Sequence, residues 1–242
     1  TFLVSQLVQK HCKVVLGGDG ADELFGGYEH YSRLLKMEGV AKFIPRAIRS
    51  EISYFAEKYI PVGAKARSWL LGFGYDTKNG VPLIANYFDP TARSSLMRDK
   101  FDHWDTVSES ILQANTSKCG DLIQRATMMD FNNYLAEDIL VKVDRSSMLA
   151  SLEVRAPFLD RRIVEFAFKK VPSFLKATPN NKKILLKELA GRILPSEFDR
   201  QRKQGFSIPI DAWLKEGDFR DFFYDTLLNS QSIFDNKSTI GL

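Results

Sequence analysis

A chain of 242 residues with 44% hydrophobic and 12% aromatic content has enough apolar surface to build one domain with a real core. Its 26% charged residues are ordinary for a globular protein, and no apolar run approaches the roughly 18 residues of a membrane span, so a membrane partner is not expected. A net charge of +4 mildly favours anionic ligands, but the basic residues are dispersed and form no zinc-finger or RNA-binding signature, which argues against nucleic acid.

The first twelve residues mix Gln, Lys and Ser with apolar residues and do not resemble a signal peptide. Cys12 and Cys119 are too few for a disulfide framework and neither has a partner at metal-ligand spacing, which fits a reducing cytoplasm. The chain opens at Thr1 inside an amphipathic segment, so the expectation is a piece of a longer polypeptide.

In chain order, Phe2, Leu3, Gln6, Leu7 and Lys10 recur at three- and four-residue steps and predict the end of a helix. Lys13 to Leu16 is a short β-branched run that predicts a buried strand. Gly17 to Gly20 breaks it. A helix can begin at Ala21, Gly26 and Gly27 interrupt it, and a second helix is predicted from about Glu29 to Met37. Helix, strand, glycine loop and helix together are a piece of a parallel α/β unit, whose ligands sit beyond the carboxyl ends of the strands.

Strand signals then nearly vanish. Residues 45 to 60 predict a helix ending at Pro61, and 62 to 90 an irregular connection with short helices. The longest helical candidate is 120 to 150. Met128, Phe131, Leu135 and Ile139 form an apolar stripe there, and Asp130, Tyr134, Asp138, Lys142 and Arg145 a polar one. Further helices are predicted at 160 to 170, 182 to 192 and 209 to 229, the last with aromatic anchors at Trp213, Phe219, Phe222 and Phe223. The fold class is therefore α/β, mostly helical, with a short parallel-strand remnant near the N-terminus.

Gly17-Gly18-Asp19-Gly20-Ala21-Asp22-Glu23-Leu24-Phe25-Gly26-Gly27-Tyr28 is the strongest local signal: five of its twelve residues are glycine and three are acidic. Glycine lets a ligand approach the main chain closely, and the free N–H groups of a helix start can hold an anion. Three crowded carboxylates repel a phosphate unless a cation intervenes. Mg2+ does so by taking one or two carboxylates and filling its other positions with phosphate and water. A Mg-nucleotide site is one reading, and a helix start with acids complementing its dipole is the other. The segment is neither a P-loop nor a dinucleotide fingerprint, because no Gly-Lys-Ser/Thr follows and position 23 is Glu where a third glycine is needed.

This segment resembles the Ser-Gly-Glu-Gly-Ser-Asp-Glu-Val/Leu-Phe-Gly-Gly-Tyr motif of the glutamine-hydrolysing asparagine synthetases. Three more blocks match in order. Leu135-Ala-Glu-Asp-Ile-Leu-Val-Lys-Val-Asp-Arg145 resembles the family's long helix. Glu153-Val-Arg155-Ala-Pro157-Phe158-Leu159-Asp160 resembles its Glu-x-Arg-x-Pro-Phe-Leu-Asp block. Lys203-Gln-Gly205-Phe206-Ser-Ile-Pro209 resembles its Lys-x-Gly-Phe-x-x-Pro block.

The resemblance implies that residues 1–242 are the C-terminal part of an adenine-nucleotide α-hydrolase-like domain, the ATP pyrophosphatase type. The family's glutaminase domain and its Ser-Gly-Gly-x-Asp-Ser pyrophosphate loop are absent from this sequence. The implied chemistry activates aspartate with ATP as β-aspartyl-AMP, and glutamine-derived ammonia then gives asparagine. The implied partners are aspartate, that ammonia and the glutaminase domain of the same polypeptide, with a homodimer also in view; the implied location is the cytoplasm. By position, Gly17 and Gly18 match the pair that contacts ATP, Asp19 the acid tied to forming the acyl-adenylate, Asp22 a magnesium ligand, and Lys203 the lysine that stabilises the transferring groups. Adenylation builds negative charge on the phosphates, for which magnesium and a lysine are the expected counter-charges.

Asp19 replaces the family's usual Glu and Gly17 its usual Ser. Both departures put the acceptor in question and leave open an amidotransferase or a β-lactam-synthetase-like enzyme acting on another carboxylate; a non-catalytic nucleotide-binding module is the remaining alternative. Arg155 either binds substrate or pairs with Asp138 or Asp144, the structural pair being favoured. Asp138 and Lys142 either face the site or face water, and Asp160 is expected to cap the helix starting near Arg161.

Overall fold

A computed structural model describes residues 1–61, 64, 66–75, 77, 120–195, 197 and 209–228. The elements are α1 (Phe2–Val8), β1 (Val14–Leu16), α2 (Ala21–Phe25), α3 (Glu29–Ala41), α4 (Arg46–Tyr59) and α5 (Arg67–Gly72). A long helix follows as α6 (Leu122–Asp130), a π-helical stretch (Phe131–Ile139) and α7 (Leu140–Leu149). The rest are β2 (Glu153–Arg155), a 3₁₀ turn (Pro157–Leu159), α8 (Arg161–Lys169), α9 (Ser173–Lys176), α10 (Ile184–Ile193), α11 (Ile210–Lys215) and α12 (Asp218–Leu228).

β1 and β2 run parallel, with Val14 opposite Glu153, Val15 opposite Val154 and Leu16 opposite Arg155. Strand signals nearly vanish after residue 16 in the sequence, and among the described residues β2 is a strand of only three residues. A three-residue strand with charges at both ends carries one β-branched residue, too little pattern to announce itself. The expected burial of β1 is corrected: Val14 is 43% and Leu16 69% exposed, because alternate side chains leave the pleat on a face that no described element covers. α1 packs on α7 beside this sheet, and Leu3 and Leu7 are exposed as well.

One core lies between α3, α5 and α6, where Tyr31, Leu34, Met37, Phe73, Ile123 and Met129 pack together. The other joins Leu24 and Phe25 of α2 to Ala167 and Val171, with Phe131 and Phe158 at its margin. The short helix after the glycine loop is therefore held by burial on both sides, since five residues form no stable helix alone.

α6 is capped by Asp121, whose side chain accepts from the N–H groups of Ile123 and Gln124 at 3.0 Å each. Such a cap contributes about 1 kcal/mol. Asp160 caps α8 as expected, accepting from Arg162 N–H at 2.8 Å, and the Arg162 guanidinium beside it holds its carboxyl down at about 2. The predicted 120–150 helix is continuous, but its stripes are not. Leu135 is buried on the apolar side, whereas Asp130, assigned to the polar stripe, is only 8% exposed. A π-helical turn holds more residues than an α turn, so faces aligned at a 3.6 period drift past one another through 131–139. The 209–229 segment is two helices, and Trp213, Phe219, Phe222 and Phe223 are at least 38% exposed rather than anchored in a core.

Candidate functional site

The glycine loop starts where the parallel strands end. Gly17 N–H donates to Arg155 O at 2.7 Å, extending the ladder one residue past Leu16. The loop then turns onto α2 through Gly20, at φ 89°, a left-handed conformation that favours glycine. A Cβ at Gly20 would also collide with Leu159.

The three acids have different environments. Asp19 is half-buried at the mouth of the loop, and a Cβ on Gly17 would lie 2.8 Å from its Oδ2. Asp22 Oδ1 lies 3.0 Å from Lys183 Nζ, with both side chains partly exposed. Glu23 is 1% exposed and accepts a hydrogen bond from Tyr28 OH. Burial pushes the Glu23 carboxyl up, opposed by the Tyr28 bond, and the same burial and contact push the Tyr28 phenol up. One acid is thus committed to structure, one is ion-paired, and one faces the loop.

Gly26 ends α2 in a left-handed conformation with φ 69° and packs against the Lys176 backbone. Gly27 leaves room for the Asp22–Lys183 pair, which any Cβ at that position would strike. The glycine pair therefore has a steric reason that composition alone does not reveal.

Residues 177–183 dock onto this turn. Lys183 N–H donates to Gly26 O at 3.3 Å, Ser32 Oγ donates to Thr178 O at 2.9 Å, and Lys182 Nζ pairs with Glu29. Lys182 holds the Glu29 carboxyl below its usual range. Beneath the turn, Asp130 Oδ2 accepts from Tyr31 OH at 2.6 Å and lies 2.7 Å from His30 Nε2. The Tyr28 ring stacks on His30 at 5.5 Å and meets Tyr134 edge-on at 5.7 Å. Two buried carboxylates and their phenolic donors thus form a floor under the Asp22 turn.

Of the sequence-predicted residues, Gly17, Gly18, Asp19 and Asp22 share this loop, with the Arg155 backbone beside it. The Arg155 side chain pairs with Glu153 at 2.8 Å, and both are exposed. This replaces the expected pair with Asp138 or Asp144: residues i and i+2 of a strand share a face, so the partner was two residues away. Asp138 and Lys142 are exposed on the long helix. Lys203 lies outside the described residues.

Sequence reasoning missed Lys183, His30 and Asp130. Only a faint signal existed for Lys183: two cations precede α10, where the helix dipole disfavours positive charge, but nothing in the sequence named the acid that offsets them. His30 and Asp130 are 100 residues apart and carried no such signal.

Among the described residues, no group of three His, Cys, Asp or Glu side chains is placed to hold a metal by itself. Asp22 alone still fits a magnesium ion that takes one protein carboxylate and completes its shell with phosphate and water. No described helix is long and apolar enough to cross a membrane.

The family model described as Asparagine synthase matches residues 1–239. A protein of Mycobacterium tuberculosis (strain ATCC 25618 / H37Rv) named putative asparagine synthetase [glutamine-hydrolyzing] is 31% identical over 234 residues, 96% of this chain and 35% of the relative. Asparagine synthetase [glutamine-hydrolyzing] 1 of Bacillus subtilis (strain 168) is 30% identical over 220 residues, covering 88% of this chain and 33% of the relative. The chain thus spans about a third of the length of these curated relatives. No solved structure matches it.

Proposed function

Since the chain belongs to the asparagine synthase family, we propose that it is the C-terminal part of the synthetase domain of an ATP-dependent amide ligase. The domain activates a carboxylate, aspartate in the leading reading, as an acyl-adenylate with release of pyrophosphate. Glutamine-derived ammonia from a glutaminase domain of the same polypeptide then displaces AMP. The observation that carries this reading is the Asp22 carboxylate held beside Lys183 at the carboxyl end of parallel β1, under a glycine-lined turn.

In this reading the Gly17 and Gly18 backbone lies against the nucleotide, and Gly18 leaves its surroundings open, with no atom of the described residues within 4 Å of a Cβ built there. Asp22 holds magnesium, which neutralises phosphate charge when bound. Asp19 faces the activated carboxyl. Lys203 supplies a second positive charge that stabilises the transferring groups. Arg155, Asp138 and Lys142 are the remaining substrate-binding candidates. The cytoplasm and an ATP pyrophosphatase architecture accompany the reading, and the 242 residues alone are expected to turn over nothing.

The test is pyrophosphate release and ATP–pyrophosphate exchange in the intact protein with a panel of carboxylic acids. Aspartate-dependent exchange that Asp22→Asn and Lys203→Ala each reduce by at least about 100-fold, with glutaminase activity retained, is the expected result. Exchange with a different acid removes the aspartate assignment. A wild-type rate in either variant removes that residue from the chemistry.

A second reading rests on Gly17. The Asp19 carboxylate occupies space that a side chain at position 17 would need, so the Gly17 and Asp19 departures act as one altered surface facing the acceptor. That favours a ligase of the same chemistry acting on a carboxylate other than aspartate.

A further inference from the structure

Lys183 stands at the N-cap of α10 in a left-handed backbone conformation, φ 51° and ψ 39°, which is unfavourable for a residue that carries a side chain. Its N–H is tied to Gly26 O, and its ammonium lies 3.0 Å from Asp22 Oδ1. Gly27 has no side chain where this pair passes. A strained backbone, a cation at the wrong end of a helix and a gap opposite it all serve one contact. The contact is with the carboxylate that the proposed function gives to magnesium, and the inference rests on that reading.

A carboxylate oxygen neutralised by an ammonium is a poorer ligand for a bare divalent ion, which must displace the lysine and leave it unpaired. A cation arriving on a polyphosphate brings replacement negative charge for the displaced ammonium. We infer that Lys183 is a built-in competitor for the Asp22 cation, so that a free divalent ion binds weakly and the metal enters together with the nucleotide. Lys183 acts through Asp22 and is a positioning residue.

The experiment measures free Mn2+ by electron paramagnetic resonance in titrations of the intact protein, with and without ATP. The signal of interest is binding that Asp22→Asn abolishes. Lys183→Met removes the charge at nearly constant volume and, being unbranched at Cβ, meets the same backbone demand. It is expected to tighten nucleotide-free Mn2+ binding about tenfold. Lys183→Arg keeps the charge and is expected to stay within about twofold of wild type, which also controls for folding at this position. With saturating ATP the gap between Lys183→Met and wild type is expected to close or invert. Unchanged or weaker Mn2+ binding in Lys183→Met, where Asp22→Asn does lose it, overturns the competitor role and leaves the proposed function standing. Mn2+ binding that survives Asp22→Asn overturns both.

Discussion

Tyr28 donates its phenolic hydrogen to the buried carboxyl of Glu23, five residues earlier, and so ties the turn after α2 to the helix it terminates. Glu23 is almost completely enclosed, and burial raises its pKa while the Tyr28 bond lowers it. Tyr28→Phe is expected to destabilise the protein by about 1–3 kcal/mol at neutral pH, because a buried acceptor loses its donor. The sign of the pH effect follows. Losing the phenol lets burial raise the Glu23 pKa further, so the charged form is penalised more. That penalty shrinks as pH falls and the folded acid protonates. Urea unfolding at pH 5 and pH 7.5 should show the smaller loss at pH 5. An equal loss at both would mean that Glu23 ionisation is not involved.

Gly18 and Gly27 separate ligand contact from packing. Gly27→Ala drives a methyl into the Asp22–Lys183 pair and should lower stability by at least about 1 kcal/mol as well as metal affinity. Gly18→Ala meets no atom of the described residues within 4 Å and should leave stability within about 0.5 kcal/mol while weakening ATP binding. Thermal melts read beside ATP titrations distinguish them, and normal ATP affinity in Gly18→Ala would remove the backbone contact at that position.

Lys176 is fully buried, donates to Gln124 Oε1 at 2.9 Å and lies over the Phe168 ring. Burial lowers its pKa from 10.5 to about 8, with Asp121 opposing. Below about pH 8 both folded and unfolded states carry the proton, and the full penalty of a buried charge is present. Above it the folded state releases its proton first, so stability rises with pH until the unfolded lysine also titrates. Wild type should therefore gain about 1–3 kcal/mol relative to Lys176→Met between pH 8 and pH 10. Parallel unfolding curves for the two proteins across that range would contradict it.

Gly17 and Asp19 should not be independent. A serine at 17 must displace the Asp19 carboxylate, whereas a glutamate at 19 carries its carboxylate one carbon farther out. Gly17→Ser and Asp19→Glu are each expected to depress exchange, and the double variant to recover about 1 kcal/mol of coupling. Strictly additive effects in the exchange assay would dissolve the pair.

The strand, glycine loop and flanking helices were legible because their signals are local. β-branched residues, five glycines and three acids fall within a short stretch, and the Asp160 cap sits beside the helix it serves. What could not be read was set by contacts distant in sequence. Lys183 reaches Asp22 across 161 positions. Asp130 falls on the polar stripe by periodicity, yet it is buried because His30 and Tyr31 meet it there. β2 exists because β1 offers a ladder, and its own three residues carry almost no strand preference.

Consecutive lysines at 182 and 183 grip the two sides of one turn, Lys182 through Glu29 and Lys183 through Asp22. Their spacing works as a ruler. One residue inserted between them would swing one ammonium away from its acid, whatever amino acid was added. Segment 177–183 should thus tolerate substitution at Asn180 far better than any change of length.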